Sequence, residues 1–397
     1  MVDLESPESI GDPARYFARM ADAGPVQWSE ALRAWVVLDH AGVSAAFRDS
    51  ERLSADRIGP LERVAAQRPA AFGKVVELLR GWMVFRDPPH HTRLRAPVRN
   101  AFTPRRVEDL TDVVAGVVDD VVGRLQPGPV DVRREFADPL PALVIAAVLG
   151  VEGDDRHSFQ RWSDDLATVV FSTTPASMPS DAAIDATEEF QAFFGRLIER
   201  ERARPSGSLL SQLITEADDD LSALELVGAC TLLLFAGHET TASLLANTVG
   251  LFLERPDLLQ AARRHPSGDA VMVEELLRVL GPTRTMFRKA AVDHERGGRQ
   301  LRAGDTVALA MCAANHDPLV FDRPGVIEFT RDPNPHLTFG WGLHHCVGAH
   351  LARLEARLAL RALLDRFGTI RAVGPVPPMT GTVLGYAREP ITAELRH

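Results

Sequence analysis

One long segment limits the folds open to this chain more than any other. It begins with Ser222 and Glu225, which match the capping box in which each side chain binds the other residue's free backbone N–H group. The following residues are apolar almost all round as far as Arg255, just before Pro256, and predict a buried helix. At about 1.5 Å per residue this helix is roughly 50 Å long, enough to cross a whole domain. We therefore expect a mainly helical fold built around one central helix.

Composition narrows the classes of protein. Lys and Arg number 44 against 54 Asp and Glu, and the net charge of -10 argues against a general nucleic-acid binder. The three cysteines are far apart and form no Cys-x-x-Cys pair, so a disulfide framework is not expected. The N-terminus shows no signal peptide, and no apolar run reaches the roughly 20 residues that a membrane span needs. We expect a monomeric, cytoplasmic protein without a membrane segment.

The remaining pattern predicts further helices and a small β-rich part. Helices are expected at 12–22, 90–102, 107–125, 140–149, 156–170, 188–204, 269–280 and 349–367. Strands are expected near the N-terminus at 27–38, with Trp28, Trp35, Val36 and Val37 in the core, and within 283–335. Residues 54–86 suggest a ligand-facing loop, and 171–180 a lid or an ordinary surface loop. No linker or repeat divides the chain, so we expect a single domain over 1–397.

A glycine-rich stretch with one cysteine precedes the last long helix. Residues 339–348 read Phe-Gly-Trp-Gly-Leu-His-His-Cys-Val-Gly. The three glycines allow tight turns and a close approach of the backbone to a flat or bulky partner. Cys346 stands just before a helix N-terminus, where free N–H groups favour the thiolate, the form that binds metals.

Three interpretations of Cys346 compete. A buried structural cysteine leaves the surrounding glycines unexplained. A zinc site can be drawn from His344, His345, Cys346 and His350, but adjacent ligands in one loop rarely close a tetrahedron. A haem thiolate accounts for the loop, the helix and the single sulfur together.

The motif Phe339-Gly340-x-Gly342-x-His344-x-Cys346-x-Gly348 closely resembles the haem-binding signature of the cytochrome P450 family. Other landmarks of the family follow in the expected order along nearly the whole chain. The resemblance implies a P450-like fold, mainly α with a minor β region, with haem b between the long helix and the cysteine-bearing loop. It implies that Cys346 is the proximal iron ligand and that Phe339, Gly340 and Gly348 contact the cofactor. His345 stands where many members carry an aromatic residue.

A polar group interrupts the long helix. Residues 236–241 read Ala-Gly-His-Glu-Thr-Thr, and burying their carboxylate and hydroxyl groups without partners costs several kcal/mol. A His-Glu-x-x-His zinc motif is excluded because position 242 is Ala242. A purely structural polar notch is one alternative. By resemblance, Glu239 and Thr240 form the family's acid–Thr pair, which delivers protons during oxygen activation, and the pocket residues are Leu232, Phe235, Ala236 and the stretch 283–287 with Phe287.

Charged residues elsewhere fit the same resemblance. Glu275 and Arg278 can pair on one helix face, although by spacing Glu274 is an equal candidate and a surface salt bridge the ordinary interpretation. Resemblance to the family's Glu-x-x-Arg motif favours Glu275 and Arg278 in a structural role. The residues that resemble the set binding the haem propionates are His91, Arg95, Arg288 and His344.

Two locally basic segments suggest a partner. Between positions 88 and 107 there are five arginines and no acid, and between 334 and 354 the only full charge is Arg353. If both lie on the cysteine side, they offer a landing site for an acidic, ferredoxin-type electron donor. A solvated helix face is the alternative.

The function that the resemblance implies is a haem-dependent monooxygenase. It would insert one oxygen atom from O2 into an apolar or amphipathic small molecule, by hydroxylation or epoxidation. Two alternatives stay open: the same fold with peroxide-driven oxidation, nitration or oxidative coupling, and a non-enzymatic haem sensor.

Overall fold

The computed structural model describes residues 2–67, 69–151, 161–163, 165–166, 180–217, 220–264, 269–387 and 390–397. The chain divides into two compact units. The first consists of Met1–Ser54, Val114–Leu140 and Thr240–His397, and the second of Ala55–Val113 and Pro141–Glu239. Most of the predicted helix at 156–170 and nearly all of the predicted lid at 171–180 lie outside the described residues.

Helices dominate the described part of the chain. They are α1 (Pro7–Gly11), α2 (Pro13–Met20), α3 (His40–Arg48), α4 (Ile58–Gln67), α5 (Pro69–Leu79), α6 (His90–Ala101), α7 (Pro104–Glu108), α8 (Thr111–Arg124), α9 (Pro139–Val148), α10 (Asp181–Ala203), α11 (Leu209–Ala217), α12 (Ala223–Glu254), α13 (Pro256–Arg264), α14 (Asp269–Leu280), α15 (Met311–Ala314) and α16 (Ala349–Arg366). No helix among the described residues is long and apolar enough to cross a membrane.

The strands are short. They are β1 (Val26–Ser29), β2 (Ala34–Val37), β3 (Leu53–Ser54), β4 (Gly128–Asp131), β5 (Thr285–Ala290), β6 (His294–Arg296), β7 (Arg299–Leu301), β8 (Thr306–Ala310), β9 (Thr369–Ala372), β10 (Thr380–Gly381), β11 (Tyr386–Ala387) and β12 (Thr392–Arg396). The β-rich part expected over 283–335 ends at Ala310, since residues 311–335 contain no strand. The fold is mainly α with minor sheets, as predicted.

The long central helix is confirmed. It runs over 32 residues, and its capping box forms as predicted. The backbone N–H of Ser222 donates to the Glu225 carboxylate at 3.0 Å, and the Glu225 N–H donates to the Ser222 hydroxyl at 3.3 Å. Most of its side chains are buried, because its sequence is apolar nearly all round.

The main sheet lies in the first unit. Its five strands follow the order β1-β2-β8-β5-β3, with β2 parallel to β8 and the other neighbours antiparallel. Val36 and Val37 are fully buried, as expected. Trp28, however, is 36% exposed, so its placement in the core is wrong. It stands on the edge strand, where it packs edge-on against Trp35 at 5.4 Å between ring centroids.

Two other predictions need correction. The apolar run at 107–125 forms two helices, α7 and α8, since the chain tightens where the Leu110 N–H binds the Val107 carbonyl oxygen at 3.1 Å. The Thr111 hydroxyl then donates to the Glu108 carbonyl oxygen at 2.7 Å, so a side chain takes a bond that a continuing helix would make. Residues 54–86, which suggested a loop, contain the helices α4 and α5.

A buried ion pair joins α14 to the chain that leads toward the cysteine. Glu275 and Arg278 are almost inaccessible, and both carboxylate oxygens accept from the guanidinium at 2.8 Å. The Nη1 of Arg278 donates to the carbonyl oxygens of Asn315 and Pro324, each at 2.9 Å. Glu275 also accepts from Asn334 at 3.0 Å. The pair therefore holds α14 against residues 315–334 and is no surface salt bridge.

Candidate active site

The stretch 339–348, here called the cysteine loop, has the backbone that its glycines suggested. Gly340 and Gly342 have φ angles of 67° and 69°, a left-handed conformation that favours glycine. A Cβ atom on Gly342 would lie 2.9 Å from the Phe47 carbonyl oxygen, so a larger residue would clash. The Cys346 N–H donates to the Phe339 carbonyl oxygen at 2.8 Å, and α16 begins directly after Gly348. The loop thus closes on itself and presents Cys346 ahead of the helix.

The three cysteines differ in accessibility. Cys230 and Cys312 are buried, whereas Cys346 is exposed. Burial raises the pKa of the Cys230 thiol to about 12 and also raises the pKa of Cys312, so neither forms a thiolate near neutral pH. Cys346 is the one cysteine that a ligand can reach.

The zinc interpretation fails within the part of the chain that the structure describes. No group of three or more His, Cys, Asp or Glu side chains is placed to hold a metal ion there. A structural zinc site needs four protein ligands and a catalytic one three. A single accessible thiolate instead suits a metal that brings its other ligands with it, as haem iron does.

Phe47 links the cysteine loop to Arg288. A Cβ atom at Gly340 would lie 3.6 Å from the Phe47 ring, and the Arg288 guanidinium lies 5.7 Å from the centroid of the same ring. Arg288 is buried at the middle of β5 and donates to the Phe287 carbonyl oxygen at 2.9 Å. Sequence analysis missed Phe47, because a phenylalanine in a short amphipathic helix carries no signal beyond core packing.

The start of the cysteine loop, at Phe339, contacts an ion pair between α14 and α16. The Arg353 guanidinium lies 4.5 Å from the Phe339 ring centroid and donates to Glu274 at 2.6 and 2.9 Å. His336 also contacts Glu274, at 3.1 Å. Burial alone would raise the pKa of Glu274, but the bonds from His336 and Arg353 outweigh it and lower that pKa to about 2. Glu274, the rejected partner of Arg278, anchors the loop instead.

In the second unit, His91 and Arg95 lie one turn apart on α6. His91 is 1% exposed and Arg95 is half-buried. Between them Arg93 lies on the other side of the helix, where it binds the carboxylate of Glu225 and the carbonyl oxygen of Asp220 at 2.8 Å. Arg93 and Glu225 thereby fix α6 against the start of α12. The two predicted cofactor-binding residues lie on the opposite side of α6 from this bond.

The middle of α12 carries an accessible stripe. Ala236 and Glu239 are exposed, and Thr240 and Ser243 are half-buried, on a helix that is otherwise largely closed to solvent. Spacings of three and four place these residues on one face. The expectation that the carboxylate is buried is therefore wrong for Glu239. The neighbouring His238 is buried instead, and its Nδ1 lies 3.0 Å from the Leu234 carbonyl oxygen.

An aromatic cluster adjoins the candidate pocket residues of the second unit. Leu232 and Phe235 are buried, and the Phe235 ring lies 5.1 Å from that of Trp82, which stacks on Phe85 at 5.6 Å. The chain before Trp82 presses directly on α12, because Gly81 and Gly228 leave no room for a Cβ atom between their backbones.

The predicted site residues are distributed over both units. The first unit contains Thr240, Phe287, Arg288, Phe339, Gly340, His344, Cys346 and Gly348, and the second contains His91, Arg95, Leu232, Phe235, Ala236 and Glu239. Within the first unit, Phe47 brings Arg288 together with the cysteine loop.

Comparison with known proteins decides the family. A family model described as Cytochrome P450 matches residues 270–395. The chain is 39% identical over 375 residues to 6-deoxyerythronolide B hydroxylase of Saccharopolyspora erythraea, which covers 92% of this chain and 91% of that protein. The chain belongs to the cytochrome P450 family. It is also 37% identical over 391 residues to vitamin D(3) 25-hydroxylase of Pseudonocardia autotrophica, covering 96% of this P450 and 91% of that protein.

The fold supports the same conclusion. The crystal structure of CalO2 matches this P450 with a TM-score of 0.90 and 30% identity, over 99% of this chain and 98% of that one. The family binds haem through a cysteine thiolate, and the protein is a cytochrome P450 monooxygenase of the bacterial type. The accessible thiol just ahead of α16 fits this cofactor, since no group of three or more His, Cys, Asp or Glu side chains among the described residues is placed to hold a metal ion.

One further acid of this P450 is buried. Glu355, on α16, is 2% exposed, and its Oε2 has no hydrogen-bond partner among the described residues. Burial raises its pKa well above the usual value. The side-chain amide of Asn247, on α12, is likewise unpaired within the described part of the chain. Neither residue was singled out from the sequence, because a polar residue inside a helical pattern is typically solvent-facing.

Proposed function

We propose that residues 1–397 form one haem-thiolate monooxygenase domain, in which Cys346 is the iron ligand. The observation that carries this proposal is the contrast among the cysteines: Cys346 is exposed in a glycine-rich loop before a helix, while Cys230 and Cys312 are buried as thiols. When bound, the haem supplies the iron that activates O2. The reaction is insertion of one oxygen atom into a C–H bond or an alkene of the substrate.

The Cys346→Ser variant tests the ligand. The reduced carbonyl complex of the wild type should show the Soret band typical of a thiolate ligand, and the variant should lose it because a serine hydroxyl does not replace a thiolate. Cys312→Ser is the matched control and should keep the band. A thiolate-type band retained in Cys346→Ser would rule out this ligand.

Four basic residues are proposed to hold the haem carboxylates. Arg95, Arg288, His91 and His344 supply the donors, and Arg288 is positioned for this by its contact with Phe47 and by β5. Charge-assisted bonds of this kind are roughly twice as strong as neutral ones. Half-burial of Arg95 and burial of Arg288 restrict both side chains before any ligand arrives.

Glu239 and Thr240 are proposed to move protons. They are adjacent residues on the accessible stripe of α12, and most other positions in the middle of this helix are buried. A carboxyl group within reach of solvent can take up a proton, and the neighbouring hydroxyl can both donate and accept a hydrogen bond. The pair thereby supplies a route for protons along the face of the helix.

The proposed substrate is an apolar or amphipathic small molecule. Leu232, Phe235, Ala236 and Phe287 are apolar pocket candidates, and Phe235 adjoins the Trp82 ring. The two named relatives are hydroxylases of 6-deoxyerythronolide B and of vitamin D3, which are molecules of this class. A spin-state screen of a library of such compounds against the holoenzyme tests the class; a response confined to small charged compounds would contradict it.

The electrons are proposed to come from a ferredoxin-type protein. Of the basic residues expected to dock it, Arg93 and Arg106 are bound to Glu225 and Glu216, and Arg353 to Glu274. Arg95 is assigned to the haem carboxylates, so Arg99 and Arg105 remain: both are exposed, and neither forms an ion pair with another residue that the structure describes. They carry the positive charge available to an acidic partner.

Charge reversal tests this docking site. The double variant Arg99→Glu, Arg105→Glu should raise the KM for a ferredoxin about tenfold at low salt, because rim charges act mainly on encounter. The kcat at saturating donor should be unchanged, and added salt should shrink the difference. Arg202→Glu, an exposed arginine on α10, is the control. Equal KM values for the double variant and the wild type would exclude this surface.

A further inference from the structure

Arg284 is fully buried at the start of the candidate pocket stretch 283–287. Its Nη1 donates to the carbonyl oxygens of Leu4 at 2.5 Å and Thr382 at 3.0 Å, and its Nη2 donates to that of Ser9 at 3.2 Å. Removing a guanidinium from water costs several kcal/mol unless its donors are satisfied. Here the acceptors come from the N-terminal segment and from the chain near the C-terminus. No carboxylate among the described residues is hydrogen-bonded to it, in contrast to Arg278.

The backbone of Arg284 is fixed as well. Its N–H donates to the Leu384 carbonyl oxygen at 2.8 Å, and its own carbonyl oxygen accepts from the Cys312 N–H at 3.0 Å. One residue away, Thr283 forms a β-bridge with Gly385, where a Cβ atom would lie 2.7 Å from the Pro282 carbonyl oxygen. The loop 382–386 and the stretch 282–284 are therefore in direct backbone contact, and Arg284 extends this contact to the N-terminus.

The N-terminal segment takes part in the same packing. The Glu5 carboxylate accepts from the Val383 N–H at 2.9 Å, and Leu4 is 1% exposed. Leu4 and Val383 belong to an apolar cluster against which Phe287 packs. Chain ends usually fray unless they are tied down. Here the first residues of the chain are held by Arg284 and pack in the same cluster as Phe287, a residue that the proposed function assigns to the pocket.

We propose that Arg284 is a positioning residue for the substrate pocket. Through it, residues 4–9 and the loop 382–386 set the position of Phe287 and thus the size of ligand that the pocket accepts. The proposal rests on the assignment of 283–287 to the pocket. It makes the N-terminal segment, which lies far from Cys346 in sequence, a determinant of ligand selectivity.

Two azoles test the proposal on the purified holoenzyme, without an electron donor. Imidazole is small enough to bind the haem iron without filling the pocket, whereas 4-phenylimidazole also places a ring in it. Dissociation constants come from the Soret shift on titration. In Arg284→Gln we expect the dissociation constant of 4-phenylimidazole to rise about tenfold, because a displaced pocket wall costs contacts with its phenyl ring. The dissociation constant of imidazole should stay within about twofold of the wild-type value. Glu5→Ala should weaken 4-phenylimidazole selectively by a smaller factor.

A matched control separates pocket position from general stability. Arg19→Gln breaks an exposed ion pair with Glu8 from a position outside residues 4–9 and should leave both azole constants unchanged. The Arg284 and Glu5 variants could lower the melting temperature while the dissociation constants of both azoles change by the same factor or not at all. Arg284 would then act only on stability, and the proposal would be wrong. If Arg284→Gln yields no folded protein, Arg284→Lys and Glu5→Ala decide by the same ratio. A protein that binds both azoles but forms no product contradicts the proposed function and leaves this test intact.

Discussion

The cysteine loop and the accessible stripe of α12 differ in the surroundings of their polar groups. The loop is braced by ion pairs: partly buried Glu274 binds Arg353 and His336, and fully buried Glu275 binds Arg278, which contacts the chain leading to the loop. The stripe, with Glu239 and Thr240, lies open on the surface of a helix whose packing is apolar. The difference predicts that changes near the loop act on stability, and changes in the stripe act on chemistry.

The largest loss of stability is expected from Glu275→Gln. This change removes the charge that balances two buried arginines, Arg278 and Arg331, and breaking a buried pair costs about 3–5 kcal/mol. Urea unfolding of the holoenzyme measures it. Glu274→Gln, the adjacent position on the same helix, is the matched control and should cost less, because Glu274 is only partly buried. If Glu275→Gln lost no more unfolding free energy than Glu274→Gln, the buried pair would not brace the loop.

Glu274 should make stability depend on acid pH. Its pKa in the folded protein is about 2, below the ordinary value of 4.5, so the carboxylate stabilises the fold fully above pH 4.5. That contribution, about 1–2 kcal/mol after allowance for solvent screening, is lost as pH falls from 4.5 toward 2. The difference in unfolding free energy between wild type and Glu274→Gln should therefore be constant from pH 7 to 5 and shrink by pH 3. A difference that grows on acidification would reverse the assigned sign.

The same contrast explains what sequence could predict. Glycine spacing around Cys346, the capping box at Ser222 and the Glu-x-x-Arg motif are local patterns, and the structure shows the tight turns, the helix cap and the ion pair that they predict. The contacts of Phe47 with the cysteine loop and of Glu274 with Arg353 join segments far apart in the chain. Periodicity carries no information about such pairs, since either partner alone looks like an ordinary core or surface residue.

Burial was the least predictable property of the site. The apolar sequence around Glu239 suggested a buried carboxylate, but a helix that is apolar all round can still leave one stripe uncovered by its neighbours. For Arg284 the sequence predicted nothing, because an arginine between two threonines belongs to no pattern that indicates complete burial. Both outcomes depend on which segments pack together, and only the folded chain fixes that.

The smallest effect on stability, and the sharpest test of the contrast, is expected from Thr240→Ala. The change removes one hydroxyl from an accessible position, so the free energy of unfolding should change by less than about 0.5 kcal/mol and haem content should not change. Loss of a proton-relaying hydroxyl should instead divert reducing equivalents from product to hydrogen peroxide, by about tenfold or more, in line with the contribution of positioned acid–base groups. Peroxide and product are measured against NADH consumed, with ferredoxin, reductase and a substrate found in the spin-state screen.

Ser243→Ala, one turn further along the same stripe, is the control and should keep wild-type coupling. Unchanged coupling in Thr240→Ala would remove Thr240 from proton delivery, and a large loss of stability would show that the stripe, like the cysteine loop, serves the fold.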